Sequence, residues 1–96
     1  MTALGTLRAR RNDILAIAAK RGARNVRVFG SVARGDERPD SDVDFLVDLE
    51  PGRSLFDLGG LHADLESLLG RPVDLVTAAG LRPRVRGDVL RTATPL

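Results

Sequence analysis

The sequence has no cysteine, no tryptophan and no tyrosine, a single lysine at Lys20 and a single histidine at His62. Without cysteine, disulfides, thiol nucleophiles and thiolate-held zinc are excluded. Without tyrosine, any chemistry on a phenol must use a phenol of another molecule. Aromatic residues make up only 3% of the chain, so the core must be built from Leu, Val, Ile and Ala. No apolar run approaches the ~20 residues that a membrane helix needs. The N-terminus lacks the apolar stretch of a secretory signal, which makes the cytosol the expected compartment. Net charge is +2, with acidic and basic residues interleaved, so composition gives no reason to expect direct nucleic-acid binding.

What is present is the composition of a soluble globular protein: 96 residues, 43% hydrophobic and 29% charged, the size of one domain spanning 1–96. Residues 4–21 carry Leu4, Leu7, Ile14, Leu15 and Ala18 at helical spacing, and Gly22 stands where a helix would stop. Residues 25–30 alternate as a strand, 31–35 suit a short helical turn, and 36–41 read as a loop. A second strand is expected over 42–49. Ser54 is a good N-cap for a helix over 55–69, and Gly70 ends it. "PVDLV", residues 72–76, reads as a third strand, and Pro83 fits the first turn of a last helix running to about Thr92. The expected fold is α/β, a small mixed three-stranded sheet packed with helices.

The second strand begins unusually. Alternation puts Asp42, Asp44, Leu46 and Asp48 on one face and Val43, Phe45, Val47 and Leu49 on the other. Asp42 and Asp44 would stand about 6.6 Å apart along the strand, a pitch from which both can bend toward shared metal ions. Magnesium is usually held by one or two carboxylates together with substrate phosphates, and paired ions about 3.5–4 Å apart can stabilise the attacking and leaving oxygens of an in-line displacement. The short link between the first two strands makes them an antiparallel pair, which brings Gly30 and Ser31 beside Asp42 and Asp44. The helical crossover over 55–69 favours parallel second and third strands, with Asp74 at a similar height. Gly30 would let backbone approach a phosphate. The Ser31 hydroxyl and the N–H groups opening the helical turn would donate to phosphate oxygens, and Arg34 would add a charge-assisted contact.

At these residues the sequence resembles the minimal nucleotidyltransferases of the DNA polymerase beta-like superfamily. The resemblance rests on Gly30-Ser31, Ala33-Arg34-Gly35, Ser41-Asp42-Val43-Asp44 and Asp74. It is close over residues 29–49 and extends through the element order to most of the chain. It implies the nucleotidyltransferase fold and magnesium-dependent transfer of AMP from ATP to a hydroxyl, with two Mg2+ ions expected and ATP as substrate. Asp42 and Asp44 would hold both metals. Asp74 would bind the catalytic metal and help take the acceptor proton. Gly30 and Ser31 would hold the triphosphate, with Arg34 supporting them. Many small members of the family resemble antitoxins that adenylylate a tyrosine of a HEPN-domain toxin, and that partner is expected here. Two other readings stand beside it: neutralisation of the partner by binding alone, and transfer to a small-molecule hydroxyl. Elsewhere the plain expectation is structural. Asp48 and the cluster Arg8, Arg10 and Arg11 are expected on solvated faces, and His62 partly exposed within its helix. Arg82, Arg84, Arg86 and Arg91 could reach the triphosphate or a partner.

Overall fold

The computed structural model describes residues 2–36, 38 and 41–96; of the expected loop over 36–41, residues 37, 39 and 40 lie outside the described set. The element order is α1 (Ala3–Ala9), α2 (Arg11–Lys20), β1 (Ala23–Phe29), α3 (Gly30–Arg34), β2 (Val43–Leu49), α4 (Leu55–Leu69), β3 (Val73–Thr77), α5 (Pro83–Thr92) and β4 (Thr94–Pro95). The strands form one mixed sheet in the order β3-β2-β1-β4. β1 runs antiparallel to both β2 and β4, and β2 runs parallel to β3.

Two expectations need correction. The sheet has four strands rather than three, because Thr94 and Pro95 pair with Val28 and Arg27. A two-residue strand containing proline carries no alternation to read, and it adds only a short edge. The helix expected over 4–21 is two helices, broken at Arg10, whose backbone (φ -107, ψ 17) departs from helical values.

The remaining boundaries follow from local chemistry. Ser54 and Asp57 form a reciprocal capping box at the start of α4, and Gly70 ends that helix in the left-handed conformation. Pro83 occupies the first turn of α5, where its missing N–H costs no helical bond.

Val43, Phe45 and Val47 of β2 pack with Val26 and Val28 of β1, Ile14 and Ala18 of α2, and Leu61 and Leu65 of α4. Ala23 and Val26 both face this core although their spacing is odd. The register slips between Arg24 and Arg27, and Asn25 takes the extra residue at φ 54. Asparagine tolerates that left-handed geometry better than most side chains. Its amide and the Arg27 guanidinium both donate to Asp48, each at 3.1 Å, so the bulge is tied across to β2.

The opposite face of β2 is not merely solvated. Leu46 is fully buried there, with Arg27 and Val76 as its cross-strand neighbours.

Candidate active site

The site gathers at the end of the sheet where β1 finishes and β2 and β3 begin. Phe29 lies opposite Asp44 in the antiparallel ladder, and Asp44 lies opposite Asp74 in the parallel one. Residues paired in this way present their side chains on one side of the sheet, so the expected alignment of Asp44 with Asp74 is observed in register.

Gly30 follows Phe29 with φ +69 and opens α3. A Cβ placed there would collide with Oδ2 of Asp44. Glycine is therefore required twice, once for the turn out of the strand and once to let backbone lie against the carboxylate. Ser31 is the next residue in α3, and Arg34 closes that helix. The Arg34 Nε donates to the carboxylate of Asp36 at 3.2 Å, with both side chains exposed.

Asp44 is half-buried, whereas Asp42 and Asp74 are exposed. Burial pushes the Asp44 carboxyl above the usual carboxylate range; the negative charges of Asp74 and then Asp42 push the same way, and Arg34 opposes them. That ordering is informative. Asp44 feels both neighbouring acids, and the Arg34 guanidinium, which also pairs with Asp36, offsets them only in part.

Among the described residues, no group of three or more histidine, cysteine or carboxylate side chains is assembled closely enough to hold a metal ion by itself. The donor set still fits magnesium, which keeps several waters and takes further oxygens from bound phosphates.

Several features here are invisible to sequence patterning. Arg71 reaches from the residue before Pro72 to the head of β2, where its Nη2 donates to the Ser41 carbonyl at 2.6 Å. Ser41 accepts from the Arg38 N–H through its hydroxyl at 2.8 Å and returns its own N–H to the Arg38 carbonyl at 2.9 Å. His62 Nε2 contacts the Val73 carbonyl at 2.6 Å, and the Val73 N–H donates to Glu66 at 2.9 Å. Both main-chain groups at the start of edge strand β3 are thereby occupied, which blunts that edge.

The other expected positions fall as follows. Asp48 lies away from the acidic head and pairs with Arg27. Arg8 and Arg10 are exposed, as expected for a solvated face, yet they bond the Pro95 and Leu68 carbonyls at 3.4 and 3.0 Å. Arg82 and Arg84 line a surface cleft of about 420 Å3 together with Pro83, and Arg91 pairs with Asp88 within α5.

A glycine-opened helix lies beside register-matched aspartates on adjacent strands, and the chain belongs to the nucleotidyltransferase domain family, whose model matches residues 12–94. It is similar to the protein adenylyltransferase MntA of Thermococcus cleftensis, with 47% identity over 70 residues, 73% of this chain and 71% of that protein. A solved structure assigned as a minimal nucleotidyltransferase superposes with a TM-score of 0.88 at 56% identity, covering 100% of this chain and 97% of the other. The fold also matches a chain from a toxin–antitoxin structure with AMP-PNP, with a TM-score of 0.75 at 22% identity, covering 88% of this chain and 69% of that one. The protein is thus a nucleotidyltransferase with the fold of the minimal members.

Proposed function

We propose that this protein, acting as a single-domain antitoxin, transfers AMP from ATP to a hydroxyl of a partner toxin, a HEPN-domain protein whose tyrosine is the acceptor. The observation that carries the reading is the alignment of Asp44 with Asp74 on neighbouring strands, with Gly30 backbone against Asp44. The similarity to a protein adenylyltransferase supports the type of acceptor, and the likeness to a toxin–antitoxin chain supports the partner. The chain's own lack of tyrosine leaves the phenol to the partner. The cytoplasm, where ATP is plentiful, is the proposed compartment.

Asp42, Asp44 and Asp74 are the residues that would hold Mg2+, two ions in the fullest form. Bound there, magnesium would offset the charge of the triphosphate and of the departing pyrophosphate. The rest falls to the protein. Gly30 and Ser31, at the start of α3, would receive the phosphates on backbone N–H and hydroxyl donors, and Arg34 would add its charge. The acceptor oxygen attacks the α-phosphorus, the bond from that phosphorus to the β-bridging oxygen breaks, and pyrophosphate leaves. Asp74, the more exposed of the two register-matched acids, would take the acceptor proton.

The test is co-purification with the neighbouring gene product, then addition of ATP and Mg2+ and intact-mass analysis. The partner should gain one or more AMP units, and Asp44→Ala should abolish the gain. An unchanged partner mass, with neutralisation surviving Asp44→Ala, would establish neutralisation by binding alone. Transfer to small hydroxyl compounds but not to the partner would establish the small-molecule reading.

A further inference from the structure

Arg71 stands between Gly70, which ends α4 at φ +67, and Pro72, whose ring fixes its own φ. The helix end and the proline fix where its side chain starts. From there the guanidinium crosses from the head of β3 to the head of β2, donating from Nη2 to the Ser41 carbonyl. Its Nε is buried and has no hydrogen-bond partner among the described residues.

The carbonyl it holds is informative. Ser41 O belongs to the planar peptide that joins Ser41 to Asp42, so fixing that oxygen fixes the plane from which Asp42 departs. β2 begins only at Val43, whose N–H donates to the Pro72 carbonyl at 3.0 Å. On the other side, Ser41 and Arg38 bond each other twice. Asp42 is exposed, between Ser41 and the first residue of β2. Among the described residues, Arg71 ties Ser41 across to the residues that enter β3.

We propose that Arg71 is a positioning residue that acts through the Ser41 carbonyl to aim Asp42 toward Asp44, preforming the divalent-cation site. The proposal rests on the reading of those two aspartates as metal ligands. Its action is geometric: the cation that bears on Asp44 is Arg34, whereas Arg71 works through a peptide plane. A planar guanidinium holds such a plane better than an ammonium, so lysine should restore the contact only in part.

The experiment compares the wild-type protein with Arg71→Met and Arg71→Lys. One readout is amide hydrogen exchange at Val43, whose N–H donates to the Pro72 carbonyl beside Arg71, against Phe45–Val47; the other is Mn2+ affinity in the presence of AMP-PNP, measured by electron paramagnetic resonance. Arg71→Met should speed exchange at Val43 but not at Phe45–Val47 and weaken Mn2+ binding by roughly 10–100-fold, as lost support of metal ligands does. The turnover number should fall while KM for ATP holds, and Arg71→Lys should lie between. Unchanged exchange at Val43, unchanged Mn2+ affinity, or equally faster exchange through Phe45–Val47 would each overturn the proposal. A wild-type protein that takes up no Mn2+ would instead sink the metal reading itself, and the exchange at Val43 would still report whether Arg71 holds the head of β2.

Discussion

At the scale of single residues, Gly30 and Asp44 set each other's requirements. Gly30 and Gly35 both have positive φ, but a Cβ at Gly30 strikes Asp44 while one at Gly35 meets nothing within 4 Å. Alanine in the left-handed region costs about 1–2 kcal/mol. Gly30→Ala and Gly35→Ala should therefore both melt lower, yet only Gly30→Ala should lose AMP transfer, by tenfold or more on the scale that misplacing a reacting group produces. Thermal melting beside a transfer assay separates the two effects. Asp44 gives a second prediction. Its carboxyl titrates above the ordinary value of 3.8, so the folded state binds that proton more tightly than the unfolded chain. The contribution to stability is present at low pH and is lost as pH rises through the folded value. Asp44→Asn should consequently melt higher than wild type at pH 7 without ligands, with the advantage vanishing below the ordinary carboxylate value, while transfer is abolished. The placement, though not the role, of these residues was legible in the sequence: the spacing of Gly30, Asp44 and Asp74 anticipated the alignment of Asp44 with Asp74 and the approach of Gly30 to Asp44. Arg71 was not, because its partner is a main-chain carbonyl 30 residues away, and no spacing rule encodes that.

At the scale of elements, legibility follows the strength of local signals. Helix α4 was readable end to end because Ser54 and Gly70 mark both ends chemically. The break at Arg10 was not, since no glycine or proline marks it; the Arg10 guanidinium instead bonds the Leu68 carbonyl near the C-terminus of α4, where a cation is favoured. Strand β4 escaped because two residues carry no period. The capping box yields a prediction of its own. Ser54 Oγ accepts from the Phe56 N–H at 3.2 Å, and Asp57 accepts from the Ser54 N–H at 3.1 Å. Ser54→Ala should cost about 1 kcal/mol, lowering Tm by roughly 4–8 °C for a domain of this size. Transfer at 25 °C should be unaffected, because β2 carries the chain from the acidic head to the far end of the sheet before α4 begins. A Ser54→Ala protein that is folded but inactive would show that the two ends are coupled. Glu66→Ala probes the clasp on the edge strand: it strips the Val73 N–H of its acceptor and should destabilise by about 1–3 kcal/mol, read by denaturant unfolding.

At the scale of the whole molecule, the sheet stacks like charges at one end, and among the described residues Arg34, already paired with Asp36, is the cation that opposes them at Asp44. On the proposed reading, such an arrangement gives up stability in the free protein and would recover it when cations and phosphates bind. The register of three strands makes this a property of the fold, since no single element contains the site: β1 delivers Gly30, β2 delivers Asp44 and β3 delivers Asp74. Binding linkage then fixes what should be seen. A ligand at about 100 times its Kd stabilises the folded state by about 2.7 kcal/mol, which for a domain of this size corresponds to a Tm increase of roughly 10–20 °C. Mg2+ with AMP-PNP should produce a rise of that order in the wild-type protein, Mg2+ alone much less, and chelation with EDTA should reverse it. The decisive comparison is with Asp44→Asn. Without ligand it should melt above wild type at pH 7, because it no longer carries the ionised, half-buried carboxylate. With Mg2+ and AMP-PNP the order should invert, because the variant has lost the charge that recruits the cation. If Asp44→Asn instead gained as much from the ligands as wild type does, the nucleotide would be held away from the acidic head, and the fold would be using its crowded carboxylates for something other than nucleotidyl transfer.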